Sequence, residues 1–270
     1  MKRGNRQYIA RKHKYDECCG VTEKEIEKYA RSPIFIVGSP RSGTTLMRSI
    51  IDAHPHIFCP PCETFLFSLL NPIFNGRIWK DHYAQLPLDR TWLISWMRRF
   101  VLELFAALGK KIGKYRWTEK TPSHVRFMSF ISEVFPDAQF IHMIRDGRKV
   151  VSSLKDMDWA PKDINKNIEN WIESVSLGRE IGIKIGKQRY IEIKYEDLVK
   201  DPETVLRRLC NFLKEPWTSQ MLKFYKSENN SWGLSLQPIG IQSSRPELNE
   251  IEEDLFEELA GRLMRELGYS

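Results

Sequence analysis

The chain has 270 residues, 41% of them hydrophobic, 11% aromatic and 29% charged, with a formal net charge of +7. At that length it can bury roughly three quarters of its unfolded surface, which excludes disorder, collagen-like fibres and a disulfide-stapled miniprotein. The charge is localised: Lys2, Arg3, Arg6, Arg11, Lys12 and Lys14 precede the first acid, Asp16, and leave the rest close to neutral. Without a recognition helix or an RNA-binding signature, a nucleic-acid partner is not expected, and the arm reads as a solvated tail.

Residues 1–32 therefore read as a basic lead-in and 33–270 as one α/β domain. The N-terminus lacks the apolar core of a secretory signal. The best apolar stretch, Phe100 to Leu108, is short and carries Glu103, so it cannot cross a bilayer. Five cysteines, an odd and sparse set, suit a reducing compartment. A soluble, cytoplasmic protein without a transmembrane anchor is expected.

In chain order, Ile34 to Val37 is a continuous apolar run, as in a buried parallel strand. Gly38 to Gly43 reads as a turn and Thr44 to Ala53 as a helix that stops before Pro55. His54 to about Asp89 reads as irregular, with five prolines. Arg90 to Leu108 is helical, ended by Gly109 and Gly113. Arg116 to Glu119 is a short strand, and Ser123 to Phe135 a helix. Gln139 to Ile144 is a second strong strand, feeding a helix through Val150, Val151 and Leu154. Ile164, Ile168, Trp171 and Val175 have helical spacing. Arg189 to Lys194 is a third strand, with Ile191 and Ile193 on one face, and Thr204 to Leu213 is helical. Ile251, Leu255, Leu259, Leu263 and Leu267 form a stripe on a last helix, with Gly268 at its cap. Strands alternating with helices predict a three-layer α/β/α fold of the P-loop type around a mainly parallel sheet.

Gly38-Ser39-Pro40-Arg41-Ser42-Gly43-Thr44-Thr45 has the glycine frame of a phosphate-binding loop, between a buried strand and a helix. Amides of such a turn and the helix N-terminus hold an anion, and the two threonines add hydroxyl donors. A nucleoside triphosphatase places lysine directly after the second glycine; here that residue is Thr44, and the cation sits inside the loop as Arg41. A guanidinium there can bridge a terminal phosphate and a leaving group through a forked contact. A magnesium-dependent kinase or NTPase and a non-catalytic nucleotide binder are the alternatives, and the missing lysine argues against the first.

These residues resemble the family of sulfotransferases that use 3′-phosphoadenosine-5′-phosphosulfate (PAPS). Pro40 to Leu46 looks like the family's 5′-phosphosulfate loop, and Asp52-Ala53-His54-Pro55 follows as in tyrosylprotein sulfotransferases and their bacterial relatives. Ile144-Arg145-Asp146-Gly147-Arg148 with Ser152-Ser153 resembles the 3′-phosphate site. The resemblance implies donor contacts from Arg41, Ser42, Gly43, Thr44, Thr45, Arg145, Ser153 and Tyr195. It also implies a base in Glu63, a transition-state cation in Lys120, leaving-group neutralisation by Arg41 and a similar role for Ser235. Its products would be adenosine 3′,5′-bisphosphate and a sulfated hydroxyl acceptor, with no metal in the motif set. The chain departs from the tyrosylprotein pattern by one extra residue between His54-Pro55 and Glu63 and by Pro60-Pro61-Cys62.

Two competitors stand beside this assignment. His124, four residues after Lys120, is an alternative base. Cys59-Pro60-Pro61-Cys62 could be a redox or half-zinc motif, although it has no second cysteine pair. The aromatics Phe58, Phe65, Phe67, Phe74, Trp79 and Tyr83 and the stretch Trp217 to Trp232 could floor an acceptor pocket or belong to the core.

Overall fold

The computed structural model describes residues 21–85, 89–226, 231, 238 and 247–269. Its centre is β1 (Ile34–Gly38), buried at every position because the run has no polar side chain to present to water. β1 lies between β3 (Arg116–Lys120) and β4 (Gln139–Ile144), with β2 (Ile57–Phe58) and β5 (Tyr190–Lys194) at the edges. The order is β2-β3-β1-β4-β5 and every pairing is parallel. The mainly parallel α/β expectation holds.

Strand alternation divides the core into layers. Phe35, Val37, Phe58, Trp117 and Phe140 face one side, packed with α1 (Glu23–Tyr29), α3 (Leu66–Asn75), α5 (Arg90–Ile112) and α6 (Met128–Val134). Ile34, Ile36, Ile141, Met143 and Ile193 face the other, against α2 (Thr44–Asp52) and α10 (Pro202–Leu213). A third cluster joins α7 (Gly147–Lys155), α8 (Ile164–Ile185) and α11 (Glu250–Glu266) through Val150, Val151, Trp171 and Phe256. The short helices α4 (Arg77–Asp81) and α9 (Tyr195–Lys200) complete the set described. None of the described helices is long and apolar enough to cross a membrane.

Four local readings change. The stretch from His54 to Asp89 is not irregular: it holds β2, α3 and α4, and α3 continues through Pro72 while burying Phe67 and Phe74. α5 runs past Gly109 to Ile112, because Gly109 lets the Tyr29 ring lie against the helix: a Cβ there would come within 2.2 Å of it. Gly113, at φ 80°, ends the helix. Pro122 to Phe127 is a 3-10 turn and only Met128 onward is α-helical. On α11 the buried residues are Phe256, Ala260, Gly261 and Met264, while Ile251 is 82% exposed. A four-residue step turns a helix about 400°, so a stripe at that spacing drifts about 40° per step and leaves the core face.

Candidate active site

After β1 the chain moves to one side for β2 and β3, then crosses to the other for β4 and β5. The crevice of such a sheet opens at the carboxyl ends of the strands beside the crossing point. Gly38 ends β1, Lys120 ends β3 and Ile144 ends β4, so the motifs singled out above converge on this edge.

The glycine loop leads into α2 with Gly43 as N-cap at φ 92° and no acidic residue in the first turn. The helix N-terminus is thus left positive, as an anion requires. Gly43 is also needed for space, since a Cβ there would stand 2.5 Å from the Tyr195 ring. Arg41 is held at φ 72°, a conformation costly for a residue with a side chain. Its Nε donates to Ser153 Oγ at 2.9 Å and its carbonyl accepts from Arg145 at 3.1 Å. The Arg145 guanidinium lies 4.3 Å from the centre of the Tyr195 ring, a cation–π contact that orients it. Arg41, Arg145, Ser153, Tyr195 and Gly43 therefore form one cluster, although about 150 residues of chain separate the first from the last. Ser42 and Thr44 are buried and Thr45 is exposed. Ser42 Oγ and Arg145 Nε are buried without a hydrogen-bond partner. Buried donors in that state are costly in a protein core and suit a site that binds a polar ligand.

The second group stands on the neighbouring strand end. Lys120 Nζ donates to Glu63 Oε1 at 2.6 Å; the lysine is almost fully buried and the glutamate side chain one-third exposed. An accessible carboxylate beside a buried ammonium suits proton abstraction next to a developing negative charge. Ser235 lies outside the described residues.

Beneath this pair is a network that the sequence reading missed. Glu119 is fully buried. Its Oε1 accepts from Thr64 at 2.8 Å and from Thr121 at 2.5 Å, and its Oε2 meets His124 Nδ1 at 2.9 Å. Burial raises the Glu119 carboxyl, but His124 and the two hydroxyls outweigh it and hold it below the usual carboxylate range. His124 has no exposed surface and is tied to this carboxylate. Only its Nδ1 is engaged; its buried Nε2 has no hydrogen-bond partner. The available signal was a carboxylate within the β3 sequence Arg-Trp-Thr-Glu-Lys, where burial demands a partner.

The remaining motifs resolve as follows. Arg148 pairs with Asp146. Cys59 is buried, which pushes its thiol pKa well up, and Cys62 is exposed. Phe58, Phe67 and Phe74 belong to the core, Trp79 stacks on Phe74, Phe65 is exposed and Trp232 lies outside the described residues. At the opposite sheet edge, His54, His56 and Glu215 bring possible metal-ligand atoms within 4.8 Å of one another. Their own bonds close that cluster: His54 uses Nδ1 for the His56 amide and Nε2 for the Pro216 carbonyl, and Glu215 pairs with Arg116.

Comparison with known proteins points one way. The model of the sulfotransferase family matches residues 33–219. A protein-tyrosine sulfotransferase of Drosophila melanogaster is 28% identical over 259 residues, covering 87% of this chain and 51% of the relative. Protein-tyrosine sulfotransferase 1 of Homo sapiens is 28% identical over 260 residues, covering 87% of this chain and 69% of that protein. The chain thus spans about half the length of the fly relative. Among solved structures, the sulfotransferase domain from the curacin biosynthetic pathway superposes with a TM-score of 0.59 at 21% identity, over 89% of this chain and 98% of that one. The sulfotransferase STF9 from Mycobacterium avium gives 0.58 at 17% identity, over 96% and 81%. These structures share the fold.

Proposed function

This chain belongs to the sulfotransferase family, and from that premise we propose that it transfers the sulfuryl group of PAPS to an acceptor hydroxyl. The observation that carries the reading is the pairing of two polar groups on adjacent strand ends: the Arg41–Ser153–Arg145–Tyr195 cluster and the Glu63–Lys120 pair.

The donor fits the residues present. The unpartnered Ser42 hydroxyl and the α2 N-terminus suit its 5′-phosphosulfate. Arg145, with a buried nitrogen left over, and Ser153 suit its 3′-phosphate. PAPS supplies a sulfuryl group already activated by a phosphate leaving group. Glu63 takes the acceptor proton while the new O–S bond forms and the S–O bond to the 5′-phosphate breaks. Lys120 neutralises charge on the sulfuryl oxygens and Arg41 neutralises the departing phosphate. By analogy with phosphoryl transfer, positioning and electrostatics do most of the work. Ser235 is proposed to assist Lys120. Residues 33–270 act as one domain in this reading, and the odd, sparse set of five cysteines supports a reducing, cytoplasmic setting.

The acceptor class follows from the relatives only in outline. Their names specify tyrosine in proteins, and a phenolic hydroxyl is the first acceptor to try, with carbohydrate, lipid and small-molecule hydroxyls beside it. The test is transfer of radiolabelled sulfate from PAPS to a panel of such acceptors in EDTA. Label transfer by the wild type, lowered roughly 10²–10⁴-fold in Glu63→Gln, is the expected result. Equal transfer by both proteins would remove Glu63 as the base. Transfer of γ-phosphate from ATP and none of sulfate would remove the sulfotransferase reading.

A further inference from the structure

A loop carries Glu63 and the end of β3 carries Lys120, and the two must present these groups to one reacting centre. Glu63 follows Pro60-Pro61-Cys62 and lies outside any helix or strand. Two residues later Phe65 holds φ 53°, a left-handed conformation that costs a non-glycine residue about 1–2 kcal/mol. Phe65 is also the N-cap of α3 and makes no side-chain cap bond. Nothing in the loop's own sequence explains why it adopts this shape, so the cause must lie in what it touches.

What it touches is Glu119. The hydroxyl of Thr64, next in the chain to Glu63, donates to Glu119 Oε1 and accepts from the Leu66 amide at 3.4 Å. The hydroxyl of Thr121, next in the chain to Lys120, donates to the same oxygen and accepts from the Phe65 amide at 3.4 Å. One fully buried carboxylate oxygen therefore receives both hydroxyls, and each hydroxyl pins an amide of the strained turn. The other oxygen is held by His124, also fully buried. Charge-assisted hydrogen bonds of this kind are short and about twice as strong as neutral ones. Both carboxylate oxygens are thereby engaged, while His124 Nε2 is left without a partner.

We propose that Glu119 is a positioning residue that sets the proposed base against the proposed cation, acting on Glu63 through Thr64 and on Lys120 through Thr121. Glu119 does not touch substrate; it fixes the separation of two groups that do. The inference rests on the roles given above to Glu63 and Lys120. His124 serves as the buried counterpart that keeps the carboxylate in place.

The hydroxyls provide the test, because Glu119→Ala would leave His124 buried beside a cavity and endanger the fold. Thr64→Val removes the tether with almost no change in volume, whereas Thr64→Ser keeps the hydroxyl. Three readouts serve: release of adenosine 3′,5′-bisphosphate from PAPS with p-nitrophenol or water as acceptor, the thermal shift with that bisphosphate, and amide exchange over residues 60–68. For Thr64→Val, kcat should fall about 10–100-fold, the range expected of a displacement near 1 Å. KM for PAPS and the thermal shift should stay at wild-type values, and exchange over 60–68 should rise. Thr64→Ser should restore kcat and protection together. Wild-type turnover and protection in Thr64→Val would overturn the proposal, as would a loss in Thr64→Ser equal to that in Thr64→Val. Glu63→Gln, run in parallel, separates the two layers. If Glu63→Gln turns over normally, the base assignment fails, and exchange in the Thr64 pair still reports whether the tether exists. If Glu63→Gln is inactive and Thr64→Val is not, only the positioning role of Glu119 falls.

Discussion

The two ends of the parallel sheet are both rich in charge, yet they use it differently. At the amino end, Arg116 donates to the carbonyls of Ser32 and Leu213, to Glu215 and to Gln139, while Glu215 also holds His56. The guanidinium is buried and satisfied by the chain itself. At the carboxyl end, Arg145 keeps a buried nitrogen without a partner, Ser42 a buried hydroxyl, and the α2 N-terminus faces no acid. A charge network closed on itself is structural, and one with donors left over is built for a ligand. That contrast, rather than the number of charged residues, supports placing the proposed donor site at the carboxyl end.

The largest expected effect belongs to the closed end. Arg116→Ala strands the Glu215 carboxylate and several buried acceptors, and loss of one partner of a buried pair costs about 3–5 kcal/mol. A fall in Tm on the order of 10 °C should follow, with affinity for adenosine 3′,5′-bisphosphate unchanged in calorimetry on the folded fraction. Loss of binding out of proportion to folding would show that the two ends are not independent.

At the open end the pattern reverses. Lys120→Ala should lower sulfate transfer roughly 10²–10³-fold, the usual effect of removing one transition-state donor. Its far-UV spectrum and bisphosphate affinity should match the wild type. Arg145→Ala should weaken binding of adenosine 3′,5′-bisphosphate about 10–100-fold, the worth of a charged hydrogen bond, while leaving AMP unaffected because AMP has no 3′-phosphate. An equal loss for both ligands would place Arg145 elsewhere in the site.

The smallest effect sharpens the comparison from the middle of the sheet. His142 on β4 is fully buried, its Nδ1 bonded to Tyr190, and burial, helped by the Arg179 charge, pushes its pKa down to about 3. The unfolded chain takes up a proton there below about pH 6.5 and the folded chain does not, so stability falls as pH drops through that window. Between pH 6.5 and 5 the loss is about 2 kcal/mol, at about 1.4 kcal/mol per pH unit. His142→Asn should flatten the dependence of Tm on pH in this interval; an unchanged slope would mean that other groups control acid sensitivity.

Legibility in the sequence followed the length scale of each signal. The buried strands Ile34–Gly38 and Gln139–Ile144 were readable because continuous apolar runs have few other uses. The glycine loop was readable because its backbone needs fix residue identities, as the Tyr195 ring against Gly43 illustrates. The site partners Lys120 and Glu63 came from motif resemblance, and no local pattern foretells their contact across 57 residues. For Glu119 only its place within β3 was a signal; its partners Thr64 and His124 reach it from different elements, which no local pattern shows. On α11 the four-residue stripe was right only in part, because helix period and stripe period differ: Leu255, Leu263 and Leu267 pack in the core beside Phe256, Ala260 and Met264, while Ile251 and Leu259 are exposed.

The most direct measurement is calorimetric titration of the wild-type chain in EDTA with adenosine 3′,5′-bisphosphate, AMP and ATP. If the open end of the sheet is a PAPS site, the bisphosphate binds at least tenfold more tightly than AMP, and ATP shows no such preference. Equal affinity for AMP and the bisphosphate, or a preference for ATP that appears on adding magnesium, would contradict the assignment of this edge to sulfuryl transfer.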